Sequence, residues 1–363
     1  MSLVYIFYFS FLVIGAVVLN KQYSRAFLFL AMAFLALIIG CRSVDVGVDT
    51  VGYVNDFMFY QHIDYPRVLE IMKTAKEPLF ILGSYFVSMF TSSSIWFTLF
   101  WGTLPCIALY IVLKDELRTA RGILVSILII FALGLFSFFI AGMRQTAAIS
   151  VTLLAYKCLT TKGVKYKLSF LISPQLILFA VLMVIAYNLH NSSILFLLIL
   201  PFLKFKIRWW YLPIVVALFF IGNYVTVGFL VELSALLFEE RFGSYGTVYE
   251  SSQSISAFVM QLLLFCICFF QREKLMAEDE RNGYLFNILV IGLVFQALSG
   301  MIAEMFRVSF YYSIFACVLV PKAIELYPKN LRDLLYGAFV SLILFYLFFL
   351  SGSNLPTYHS AII

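Results

Sequence analysis

Four arginines, one histidine and three carboxylates stand at the ends of long apolar runs in this chain, where charge is costly. Arg42, Arg144, Arg241 and Arg307 lie apart from the other basic residues. A guanidinium grips phosphate oxygens through two parallel N–H donors and keeps its charge when partly desolvated. Several arginines on separate helices at one depth suit a pyrophosphate-bearing lipid, whose headgroup sits at that depth and whose tail lies in the bilayer. His190, in His190-Asn191-Ser192-Ser193, follows an apolar run. Histidine titrates near neutrality and can move a proton. Glu77 precedes Pro78, and an acid followed by proline reads as a helix start. Asp45 and Asp49 follow Arg42, with Gly47 between them to permit a tight turn. The competing reading is that the arginines snorkel to headgroups and His190 is an interfacial side chain. The stretch from Glu239 and Glu240 through Arg241, Phe242 and Tyr245 to Tyr249 mixes charge with aromatic faces. That mixture suits a sugar platform or an interfacial belt.

The elements that must position these groups are membrane helices. Of 363 residues, 63% are hydrophobic and only 12% charged, and mean hydropathy is +1.00. Soluble chains carry about 25% charged residues. Forty Phe and twenty-two Tyr are more aromatic surface than one aqueous core could hide, so the excess faces lipid. The apolar runs predict about twelve crossings, at 3–19, 26–41, 95–113, 122–141, 145–160, 169–188, 192–203, 211–230, 255–270, 284–302, 308–325 and 334–350. The run from Pro78 to Thr91 is too short to cross and reads as re-entrant or interfacial. The fold class is therefore all-α and polytopic, one membrane domain over 1–363. The first run lacks a basic leader and is long enough to remain as a span. The six cysteines fall in or beside apolar segments and form neither a disulfide framework nor a zinc spacing.

Basic residues set the direction. Lys21 and Arg25; Lys114, Arg118 and Arg121; Lys162, Lys165 and Lys167; Lys204, Lys206 and Arg208; Arg272, Lys274 and Arg281; and Lys322, Lys329 and Arg332 form clusters between spans. All fall on one side provided that Pro78–Thr91 does not cross, and the positive-inside rule makes that side cytoplasmic. Both termini and the long loops 42–94 and 231–254 are then external. The dispersed net charge of +6 points to no nucleic-acid partner. No glycine-rich phosphate loop or dinucleotide turn is present, which argues against an ATP-driven pump and a nucleotide-sugar transferase.

The order of these residues resembles a known family. Arg42 leads to Gly47-x-Asp49-Thr50-x-x-Tyr53, then Glu77-Pro78-Leu79-Phe80, then Gly142-Met143-Arg144-Gln145. His190-x-Ser192 follows, and Arg307 comes last, beside Phe310, Tyr311 and Tyr312. Over about residues 1–350 this is similar to the EpsG/Wzy-like bacterial polysaccharide polymerases, with Leu79 where glycine is common. The Arg241 loop matches no family motif.

The resemblance implies a GT-C-like, multi-pass enzyme of the bacterial inner membrane, acting at the periplasmic face. It would move a growing glycan from undecaprenyl pyrophosphate onto a lipid-linked repeat unit, as an O-antigen polymerase does, with neither metal nor nucleotide cofactor. A flippase and a chain-length regulator are the partners implied. Arg144 and Arg307, helped by Arg42, would hold the pyrophosphate. A base among His190, Glu77 and Asp49 would take the acceptor proton, and the remaining carboxylates would orient sugars; Tyr245 on the sugars and Arg241 on substrate are readings from the residue types of their loop alone. Rival readings are an O-antigen ligase, a lipid-linked oligosaccharide flippase and a membrane O-acyltransferase. The flippase would need charges deep along several helices.

Overall fold

The computed structural model describes residues 3–160, 173–202, 205–206, 208–224, 251–300, 302, 304–350 and 355–361. Arg241, Tyr245, the 231–250 part of the second external loop and the Lys162–Lys167 cluster lie outside the described residues. Among those described the chain is helical, and its one strand-like pairing is an isolated bridge between Arg42 and Ser360. In order, the helices are α1 (Leu3–Val18), α2 (Ser24–Gly40), α3 (Thr50–Tyr60), α4 (Tyr65–Thr74), α5 (Pro78–Ser88) and α6 (Ser94–Glu116). Next come α7 (Ala120–Ala132), α8 (Leu135–Ala141), α9 (Met143–Leu159) and α10 (Pro174–Leu189). A 3-10 segment, Asn191–Leu198, leads into α11 (Ile199–Phe202), followed by α12 (Tyr211–Tyr224) and α13 (Ser251–Phe269). The last are α14 (Arg272–Glu278), α15 (Arg281–Leu298), α16 (Met305–Ser313), α17 (Ala316–Glu325) and α18 (Lys329–Phe345).

Among the described residues, four helices are long and apolar enough to cross a membrane, or up to seven spans if each bent pair counts as one. The four are the stretch Lys21–Gly40, α6, α15 and Lys329–Leu350. Other expected crossings are shorter apolar helices, among them α1, α10 and α12. Two of the expected unbroken spans are broken. The run over 122–141 bends by 60° between α7 and α8, and that over 308–325 by 47° between α16 and α17. At the first break Gly134 has φ +73°, a left-handed geometry that glycine adopts without a Cβ clash. α5, at eleven residues, rises about 16 Å against a hydrocarbon core of about 30 Å, so it cannot cross.

α7 is the centre. All its residues except Arg121 are buried, as expected of a helix apolar on every face. α9 packs on α10 and α6, and α2 on α6. The outer surface is apolar: Phe7, Trp96, Val184 and Phe349 are each at least 60% exposed, which lipid tolerates and water does not.

The two ends of the bundle differ in chemistry. At one end the basic loops meet through acids on α6. Asp115 pairs with Arg25 at 4.0 Å and Lys157 at 2.8 Å, and Glu116 with Lys322 at 2.8 Å and Arg281 at 3.8 Å. Arg121 reaches Asp333 at 2.6 Å. Several of these pairs are exposed, where an ion pair is worth at most about 1 kcal/mol. They show that basic loops far apart in sequence share one end. Arg42 lies at the far end of α2 from Arg25, Arg144 at the far end of α9 from Lys157 and Arg307 at the far end of the bent pair α16–α17 from Lys322, and Glu77 meets both Arg144 and His190.

Arg42 is enclosed by the fold. Expected as a phosphate ligand, it is 1% exposed and turned into the protein. Its Nη1 donates to the Ile39 carbonyl, Nε to Val46 O at 3.2 Å, and Nη2 to Ile140 O at 2.9 Å and Thr50 Oγ1 at 3.3 Å. Ile39 and Ile140 belong to the last turns of α2 and α8, so two negative helix ends stand in for a carboxylate. Burial draws its pKa down to about 10, against the pull of Tyr358, and it stays charged at neutral pH. Gly47 makes the enclosing turn at φ +100°, and a Cβ there would lie 2.7 Å from Ile140 Cγ2 and Thr50 Oγ1. Arg42→Ala should therefore lose at least about 3 kcal/mol of stability, because several buried carbonyls lose donors at once. Thermal unfolding in detergent and membrane abundance measure this. A fully stable Arg42→Ala protein would contradict this structural role.

Candidate functional site: a Glu77–Arg144–His190 cluster

The site begins with short local signals. Pro78 occupies the first turn of α5 and fixes Glu77 at its N-cap. The Glu77 side chain makes no capping bond, so its carboxylate is free to reach outward from the helix. Gly142 ends α8, and α9 starts at Met143, which puts Arg144 in the first turn of a new helix. His190 is both the C-cap of α10 and the N-cap of the 3-10 segment. Eight residues is long for a 3-10 helix, which rarely exceeds three or four. Side chains hold this one in place. Ser192 Oγ lies 3.2 Å from Tyr311 OH, and Tyr312 OH donates to Leu195 O. The Asn191 amide, oriented to satisfy both neighbours, donates to Lys76 O at 2.8 Å and Tyr187 O at 3.3 Å.

The three residues converge across 113 positions of sequence. Glu77 Oε1 meets His190 Nδ1, and Glu77 Oε2 lies 2.7 Å from Arg144 Nη1. Each carboxylate oxygen thus serves one partner, Oε1 His190 and Oε2 Arg144. The Arg144 guanidinium also lies over Tyr53, 5.4 Å from the ring centroid, with Nε 3.5 Å from the hydroxyl. Burial would raise the Glu77 carboxyl, but His190 and Arg144 together outweigh it and hold the pKa below the usual carboxylate value. The group is therefore anionic at neutral pH. Its contribution to stability is present at neutral pH and is lost as pH falls through that lowered value. The Glu77 side chain is 11% exposed, that of His190 28% and that of Arg144 48%, so the acid lies inside and the base and cation face out.

Other expected site residues fall around this cluster. Arg307 is exposed and pairs with Glu304 at 3.4 Å, three residues earlier on the same helix face. Its backbone is joined to the cluster, since Gln145 Nε2 donates to Arg307 O at 2.8 Å. Asp49 is exposed at the N-cap of α3, one turn before Tyr53, and is in no ion pair among the described residues. Asp45 faces His359 at 3.7 Å, away from the cluster.

Sequence reasoning gave no role to Tyr53, Gln145, Ser192 or Tyr311, although all four stand in the family-like motifs. Their periodicity is that of ordinary helix residues, and only contacts between helices set them apart. Asp56, one turn beyond Tyr53, is close enough to Arg144 for the two charges to act on each other.

The fold and site define an all-helical, lipid-facing membrane protein with ionisable groups gathered at the end of the bundle away from its basic loops. The chain belongs to the EpsG family, whose model matches residues 25–361. That membership makes it a polysaccharide polymerase-like membrane protein. No curated protein and no solved structure matches it.

Proposed function

We propose that the chain is a polysaccharide polymerase that transfers a growing glycan from undecaprenyl pyrophosphate onto a lipid-linked repeat unit. The observation that carries this reading is the convergence of Glu77, Arg144 and His190 from three segments onto one outward-facing cluster. Glu77 binds His190 at Nδ1, which orients the ring and leaves Nε2 to accept a proton. Arg144, half exposed and braced by Tyr53, offers its remaining donors to the donor pyrophosphate. Arg307, whose backbone carbonyl accepts from Gln145 next to Arg144, is assigned to the same pyrophosphate.

The acceptor hydroxyl oxygen attacks the anomeric carbon, and its proton passes to His190 Nε2. The anomeric C–O bond breaks, and its electron pair leaves on the pyrophosphate. Arg144 and Arg307 stabilise the charge that develops there. Asp49 and the Arg241–Tyr245 loop are assigned to the sugars. The shared end of the basic loops supports a cytoplasmic placement for that end and a periplasmic placement for the site, in a bacterial inner membrane. Twelve traverses follow if α9, the bent pairs and the shorter apolar helices other than α5 each cross once beside the four long helices. A flippase and a chain-length regulator are the proposed partners.

The test is reconstitution. The purified chain in liposomes, given undecaprenyl-pyrophosphate-linked repeat units and EDTA but no nucleotide, should build a polymer ladder. Loss of the ladder in EDTA, restored by a divalent ion, would contradict the arginine-based mechanism.

A further inference from the structure

Glu77 engages two partners with one carboxylate, Arg144 and His190, and it is the inner member of both pairs. Its side chain is 11% exposed against 48% for Arg144. Because its pKa is held down, it is a standing anion that any incoming anion must compete with for Arg144. Its hold on Arg144 is open to competition. Glu77 offers Arg144 one oxygen, Oε2 at 2.7 Å, because Oε1 is engaged by His190, whereas a pyrophosphate can present two oxygens to the guanidinium fork. Arg144 also rests on Tyr53, with the ring centroid 5.4 Å away and the hydroxyl 3.5 Å from Nε, so it keeps a second partner when it leaves Glu77. The carboxylate in turn keeps His190 when Arg144 is taken.

We propose that Glu77 is an internal placeholder anion. It neutralises Arg144 before the donor binds, yields the guanidinium to the donor pyrophosphate, and reclaims it as undecaprenyl pyrophosphate leaves. This rests on the reading of Arg144 as the pyrophosphate ligand and adds a device for product release. An arginine with no internal competitor would hold the spent carrier as tightly as the donor. With Glu77 beside it, Arg144 has a partner to return to, and turnover is not limited by a trapped pyrophosphate.

The consequence runs opposite to that of a simple structural ion pair. Removing the acid should strengthen anion binding while polymer formation slows. The probe is inorganic pyrophosphate, titrated calorimetrically into the full chain in detergent, and the component read is the binding that Arg144→Gln abolishes. Glu77→Gln should bind roughly tenfold more tightly than the unmodified chain, equivalent to about 1.4 kcal/mol of competition removed. Glu77→Asp keeps the charge but shortens the reach, and should fall between the two. If Arg144→Gln abolishes binding while Glu77→Gln binds equally or more weakly, the placeholder is overturned and the arginine clamp stands. If Arg144→Gln binds as the unmodified chain does, the clamp falls and the placeholder with it. Should Glu77→Gln fail to accumulate, Glu77→Asp decides: tighter binding supports the placeholder, and equal or weaker binding overturns it.

Discussion

His190→Ala is expected to slow polymer formation by about 100- to 10,000-fold, the usual contribution of a positioned acid or base. Binding of the lipid-linked donor should survive. The expectation comes from the two ends of the imidazole. Nδ1 is engaged by Glu77, so the ring has a fixed orientation and its outer nitrogen is the one able to receive a proton. The junction that carries it is held by Asn191, Ser192 and Tyr312, so the base does not wander. Removing the ring leaves the Glu77–Arg144 pair in place, and the donor side is not dismantled. The readout is the initial rate of polymer formation at matched membrane abundance, beside donor binding. Near-normal polymer yield from His190→Ala would move the base to Glu77 or Asp49.

His190, Glu77 and Arg144 were legible in the sequence for a physical reason. In a chain that is 12% charged, an ionisable group at the end of an apolar run is costly unless something pays for it, so each stands out. Their meeting was not legible, because Glu77 reaches His190 across 113 residues and Arg144 from a third segment. Arg42 shows the limit from the other side. In sequence it has the same credentials as Arg144, an isolated arginine beside a span. Its depth and its carbonyl partners on α2 and α8 exist only in three dimensions. The i,i+3 pairing of Glu304 with Arg307 was readable because helix geometry fixes it locally.

The fold divides in the same way. The segregation of basic loops was readable from residue type alone; acids on α6 bring Arg25, Lys157, Arg281 and Lys322 together at one end, and Asp333 on α18 holds Arg121. The start of α5 at Pro78 was readable from the Glu-Pro signal. The breaks inside the runs over 122–141 and 308–325 were not. Gly134 sits among leucines and phenylalanines with no charge to mark it, and the second bend has no glycine or proline at its centre. Hydropathy registers apolar length, and a bend leaves that length unchanged.

The clamp is the centre of this account, and Arg144→Lys tests it most directly. Lysine keeps the positive charge but loses the planar fork that matches two phosphate oxygens, and it loses the flat face that lies over Tyr53. A headgroup anchor would not register the change, because lysine snorkels as well as arginine. The measurement is the polymer-length distribution of the Arg144→Lys chain at the same membrane abundance as the unmodified one. The account predicts a stable, correctly inserted protein that leaves single repeat units and no long polymer, a loss on the order of 100-fold or more. A ladder of unaltered length would contradict it and leave Arg144 as a topological anchor.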